Sequence, residues 1–147
     1  MHKVKDIKLA KQGKINISLA EREMPVLRII AGEFKKSQIF KNLTIAMCLH
    51  VTKETAVLAR AIKAGGAKVV LCCSNPLSTQ DDVAAALVED GINVFAWKGI
   101  SNKDYYECLN KTLDFKPHIT IDDGADLISL IHSERPELLT SVWAGQE

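Results

Sequence analysis

At 147 residues, 47% apolar and 25% charged, the chain has the length and composition of one globular domain with a buried core. A formal net charge of +1 gives no field that would hold nucleic acid or an anionic membrane, so neither is expected as a partner. No secretory segment opens the chain and no apolar run is long enough to span a bilayer, which points to the cytoplasm.

The first 42 residues read as a helical leader (1–42). Ala20, Met24, Leu27, Ala31 and Phe34 recur at the spacing of one helical face, and Pro25 predicts a kink or break at Met24 with the stripe continuing past it. From residue 43 the pattern becomes a βα alternation (43–147). Apolar, β-rich runs begin near Leu43, Lys68, Asn93 and His118, about 25 residues apart, the length of a strand, a crossover helix and two short loops. Thr44 to Leu49 is nearly all apolar, as in a strand buried on both faces. Val57, Leu58, Ala61 and Ile62 line the next helix, which Gly65-Gly66 stops. Val69 to Leu71 is the second strand, and a helix with Asp81 and Asp82 in its first turn follows from near Thr79. Asn93 to Trp97 is the third strand. Ser101, with Asp104 three residues on, opens a helix carrying Tyr105, Cys108 and Leu109. Ile119 to Ile121 is the fourth strand, Pro136 closes the helix after it, and Ser141-Val142-Trp143 reads as a short fifth strand. The predicted fold is α/β: a Rossmann-like open parallel sheet of about five strands with helices on both faces, preceded by a kinked leader helix. Ending at the fifth strand, the chain reads as incomplete.

Each strand is followed at its carboxyl end by polar or glycine-containing chemistry: His50-Val51-Thr52, the Ser74 to Asp81 loop, Lys98-Gly99, Asp122-Asp123-Gly124 and Gly145-Gln146-Glu147. In open α/β sheets, ligands bind at that edge. His50 could serve as a general acid or base, or could satisfy backbone groups at a helix start. Of the adjacent carboxylates Asp122 and Asp123, one could accept a proton, or one could cap the next helix while the other is solvated. The Ser74 to Asp81 loop could encircle a polar small molecule or form an elaborate helix start. Cys48, Cys72, Cys73 and Cys108 read as buried thiols in a reducing compartment. No Cys/His spacing suggests a metal, and no P-loop or Gly-x-Gly-x-x-Gly fingerprint occurs.

Taken together and in order, five segments resemble the amino-terminal part of the adenosylhomocysteinase (S-adenosylhomocysteine hydrolase) family. They are Glu23-Met24-Pro25, Cys48 to Ala56, Ser74 to Asp81, Val94 to Gly99 and Asp122 to Leu127. The resemblance implies an NAD-dependent thioether hydrolase that converts S-adenosylhomocysteine to adenosine and homocysteine. Transient oxidation of the ribose 3′-hydroxyl acidifies the C4′ proton for elimination. It implies His50 and Asp123 as acid–base groups near C4′ and C5′, and Thr52 and Glu54 against the base. Glu54 would accept from an exocyclic amino group, favouring an aminopurine over hypoxanthine. Asn75, Ser78 and Thr79 would line the cleft. Ser74 stands where many members carry cysteine. On this resemblance NAD would be held by a separate domain, the parent protein would be a homotetramer, and the chain alone would be inactive. A standalone nucleoside-binding or regulatory module is the competing expectation. A receiver-type domain fits poorly, because here the acidic pair follows the fourth strand.

Overall fold

The computed structural model describes residues 1–146; Glu147, the last of the expected strand-end groups, lies outside the described residues. The strands are β1 (Lys3–Val4), β2 (Thr44–Leu49), β3 (Lys68–Cys73), β4 (Asn93–Ala96), β5 (Ile119–Asp122) and β6 (Ala144–Gln146). The helices are α1 (Ala10–Arg22), α2 (Pro25–Ser37), α3 (Lys53–Ala64), α4 (Asp81–Glu89), α5 (Asn102–Leu113) and α6 (Asp126–Ser133). The strands form one sheet in the order β1-β4-β3-β2-β5-β6, every pair parallel.

β2 is the central strand, and Ile45, Ala46, Met47 and Cys48 are buried. It pairs with β3 from Thr44↔Lys68 to Leu49↔Cys73, and with β5 from Ile45↔Ile119 to Cys48↔Asp122. α3 and α4 pack together on one face with α1 laid across both, while α5 and α6 meet on the other. The core is therefore double, as the continuous apolar strands require.

The leader breaks at the expected place. α1 ends at Arg22, and Pro25 takes the first position of α2, where its missing N–H costs nothing. Met24, Leu27, Ala31 and Phe34 are half-buried along the inner face of α2, which packs on α3. α1 approaches α4 closely at Gly13, where an added Cβ would lie 1.9 Å from the Asp82 carbonyl oxygen. Asn16 Nδ2 donates to Asp82 Oδ2 at 2.7 Å across the same contact. Ser101 caps α5 by accepting from the Asp104 N–H at 3.2 Å. Gly65 follows α3, and Gly66 turns the chain at φ 97°.

Two features differ from the sequence reading. β1 adds a sixth strand, two residues long and thus too short to show a period; its partner β4 supplies the pairing. The last strand begins at Ala144 instead of Ser141. Pro136–Thr140 winds into a 3-10 turn anchored by buried Leu138, so residues 141–143 complete the turn before pairing starts. Trp143 N–H donates to the His118 carbonyl at 2.7 Å, and the ladder follows from Ile119↔Ala144.

Candidate active site

The chain leaves β2 for β3 on one side and later returns to its other side with β5. The carboxyl ends of β2 and β5 therefore flank the topological switch point, the usual ligand crevice of an open α/β sheet. Backbone bonds draw three loops together there. Asp123 N–H donates to the Cys48 carbonyl at 2.9 Å, and Ser74 N–H donates to the Leu49 carbonyl at 3.2 Å.

Across this point His50 Nε2 lies 3.1 Å from Asp123 Oδ2, with the two side chains 48% and 51% exposed, open to a ligand yet in contact. The other ring nitrogen, Nδ1, lies 2.6 Å from Ser78 Oγ. Ser74 Oγ donates to Asp123 Oδ2 at 3.5 Å. Asn75 shapes the loop, its Oδ1 accepting from Leu77 N–H at 2.8 Å, while its carbonyl lies 3.4 Å from Ser78 Oγ.

The remaining candidates stand around this group. Thr52 caps α3 and accepts from the Thr55 N–H at 3.4 Å, while its own N–H bonds the His50 carbonyl at 2.8 Å. Glu54 lies in the first turn of α3, 3.8 Å from Lys53 Nζ. It faces a cleft of about 460 Å³ shared with Ala20, Arg22, Glu23 and Met24 at the leader break. Thr79 is buried. No side-chain hydrogen bond or ion pair joins Thr52, Glu54 or Thr79 to the His50–Asp123 pair among the described residues.

The two adjacent carboxylates divide their labour. Asp122 is 3% exposed and accepts from Leu127 N–H at 2.6 Å and Asp123 N–H at 3.0 Å. It thereby pins a turn in which Gly124 (φ 106°) and Ala125 (φ 63°) are both left-handed. Burial raises the Asp122 carboxyl above its ordinary value, against the pull of the Leu127 N–H. Its neighbour Asp123 is turned outward to His50.

Sequence reasoning missed the support behind the pair. Tyr105 Oη donates to Asp126 Oδ2 at 2.7 Å and lies 3.3 Å from the Ser74 carbonyl. Burial raises the Tyr105 phenol, so it stays a donor. In the sequence Tyr105 reads only as one core residue of a helix face. Ligand atoms of Cys48, Asp122 and Asp126 gather within 4.8 Å. The Cys48 thiol is raised by its hydrogen bond with Cys72 and then by burial, and both carboxylates already accept protein donors. The four cysteines are free and buried, as expected.

The strand-end turns do not suit a dinucleotide. The glycine of the β5–α6 turn sits among Asp122, Asp123 and Asp126, whose charge opposes a pyrophosphate; the β4–α5 turn carries a single glycine, Gly99, and the β2–α3 and β3–α4 turns carry none.

A sequence model of S-adenosyl-L-homocysteine hydrolase (AdoHcyase) matches residues 1–146. The chain is 55% identical over 147 residues to the S-inosyl-L-homocysteine hydrolase of Methanococcus maripaludis, covering 100% of this chain and 35% of that protein. It is 52% identical over 144 residues to the adenosylhomocysteinase of Pyrococcus abyssi, covering 98% and 34%. To the adenosylhomocysteinase of Sulfurisphaera tokodaii it is 54% identical over 146 residues, covering 99% and 35%. The chain thus spans 34–35% of the length of these curated relatives. With the whole described length matched, and the His50–Asp123 pair set at the switch point, this chain belongs to the S-adenosyl-L-homocysteine hydrolase family.

Proposed function

We propose that this chain forms the nucleoside-facing, acid–base half of the cleft in an adenosylhomocysteinase, the enzyme that splits S-adenosylhomocysteine into adenosine and homocysteine. The observation that carries the reading is the contact of His50 Nε2 with Asp123 Oδ2 at 3.1 Å, across the switch point and open to a ligand. Breaking a thioether at the 5′ carbon of a ribose requires protons to leave and return at neighbouring atoms of one sugar. A half-exposed imidazole–carboxylate pair is suited to carry them near neutral pH. Asp123 holds the ring through Nε2. Thr52 and Glu54 contact the base, with the Glu54 carboxylate accepting from an exocyclic amino group. Asn75 and Ser78 line the cleft, with buried Thr79 next to them in the loop.

NAD supplies the transient oxidation in this family and does not fit the turns of this chain. In this reading it is bound by a separate domain, the complete hydrolase is a homotetramer, and the 147-residue chain alone with NAD releases no homocysteine.

A second reading, an S-inosyl-L-homocysteine hydrolase, is favoured by the 55% identity to a protein of that name. Adenosine and inosine titrated into the 15N-labelled chain separate the two. Backbone shifts at His50, Thr52, Glu54, Ser78 and Asp123, larger with adenosine, are expected. Larger shifts with inosine would favour the second reading, and shifts at neither nucleoside would overturn both.

A further inference from the structure

His50 is engaged at both ring nitrogens, and the partners differ in kind. Asp123 is a carboxylate, which when ionised only accepts, so at 3.1 Å it requires the hydrogen of the neutral ring to sit on Nε2. Nδ1 then carries the lone pair, and Ser78, 2.6 Å away, must donate to it. The Ser78 hydroxyl has a second acceptor in reach, the Asn75 carbonyl at 3.4 Å. A hydroxyl both donates and accepts, so Ser78 can serve either state of the ring. It gives its hydrogen to a neutral Nδ1, or turns that hydrogen to Asn75 and accepts from a protonated Nδ1.

We propose that His50 exchanges its working proton at Nδ1, through the Ser78 hydroxyl, while Nε2 stays committed to Asp123. In the step, a water or ligand hydroxyl in the cleft passes a proton to Ser78 Oγ, and the proton already on Ser78 moves to His50 Nδ1. Ser78 ends unchanged, the donor is left as its conjugate base, and the new imidazolium stays paired with the Asp123 carboxylate. Ser78 is thus a positioning residue that acts through His50. Its neighbours leave it this role. Asp123 is the charged group in contact with the ring, while its neighbour Asp122 is turned inward and the Lys53–Glu54 pair opens α3 three residues further on. Residues 74–78 of the β3–α4 loop carry no charged side chain.

The inference rests on the reading of His50 and Asp123 as the acid–base pair, and its test needs no turnover, so the two can fail separately. Ring-nitrogen NMR of His50 in the 147-residue chain is followed from neutral to acid pH. The expected result is that Nε2 carries the hydrogen at neutral pH, and that Nδ1 alone makes the large shift on acidification. In Ser78→Ala, Asp123 should still hold the hydrogen on Nε2, while the rate at which Nδ1 takes up and releases its proton, read from exchange broadening of the ring signals near the midpoint, should fall severalfold. Ser78→Thr, which keeps the hydroxyl, should restore the wild-type pattern. A shift carried by Nε2 in the wild-type chain would overturn the proposal without recourse to any variant. So would an Nδ1 proton-exchange rate unchanged in a folded Ser78→Ala chain.

Discussion

Replacing Gly13 by alanine sets two physical effects of opposite sign against each other. Alanine in place of a mid-helix glycine ordinarily gains about 1 kcal/mol, because less backbone freedom is lost on folding. Here the new Cβ would lie 1.9 Å from the Asp82 carbonyl oxygen, 2.4 Å from its carbon and 2.9 Å from Ala86 Cβ. Two of these atoms are backbone, so no side chain can turn away. Reaching ordinary contact requires α1 to retreat from α4 by about 1.5 Å. That movement loosens the packing of buried Ile17 and Ala20 and stretches the 2.7 Å Asn16–Asp82 hydrogen bond. Overpacking costs about 1–3 kcal/mol and the hydrogen bond about 1, so the net after the propensity gain is about 2 kcal/mol of destabilisation. For a domain of this size that lowers Tm by roughly 4–8 °C. Gly32→Ala is the matched control. Gly32 is also helical, nothing lies within 4 Å of its added Cβ, and the same substitution should raise Tm by roughly 2–4 °C. Thermal unfolding followed by circular dichroism reads both. An increase in Tm for Gly13→Ala, matching the control, would refute the account of the α1–α4 contact.

Other consequences concern the helix starts around the sheet edge. Ser101→Ala should cost about 1 kcal/mol in urea unfolding, because Ser101 caps α5 and its hydroxyl also donates to Asp104 at 2.6 Å. An unchanged urea midpoint would count against that cap. Asp122 carries a pH signature. Its folded pKa is raised above the ordinary 3.8 by burial, so the folded state holds its proton more tightly than the unfolded state does. Stability relative to Asp122→Asn should therefore fall as pH rises from about 4 through the raised value, then level off. A difference that instead grows with pH across that window would mean that the hydrogen bonds from Leu127 and Asp123 outweigh burial.

The sheet was legible because its strands are buried on both faces. Ile45 to Leu49 and Val69 to Cys73 are apolar without alternation, and Gly65-Gly66, Ser101 and Pro136 punctuate the helices with specific backbone chemistry. β1 escaped because two residues cannot display a period and its pairing depends on β4, more than 90 positions away. The late start of β6 follows from burial of Leu138, a tertiary event that strand propensity does not register. At the site, strand-end position and side-chain type singled out His50 and the adjacent pair Asp122 and Asp123, the family resemblance pointed to Asp123, and the fold brings His50 and Asp123 into contact. Of the acidic pair, Asp122 ties down the start of α6 and Asp123 faces His50. The donor role of Tyr105 was hidden because a helix face shows which residues turn inward, not which carboxylate they will meet.

The measurement that bears most directly on the central claim is homocysteine release from S-adenosylhomocysteine by the complete hydrolase carrying these residues. Wild type would be compared with His50→Gln and Asp123→Asn, and adenosine binding followed alongside. Removing either acid–base partner should lower kcat by about 10²–10⁴-fold while adenosine still binds. Turnover at the wild-type rate in both folded variants would contradict the assignment of proton transfer to this pair.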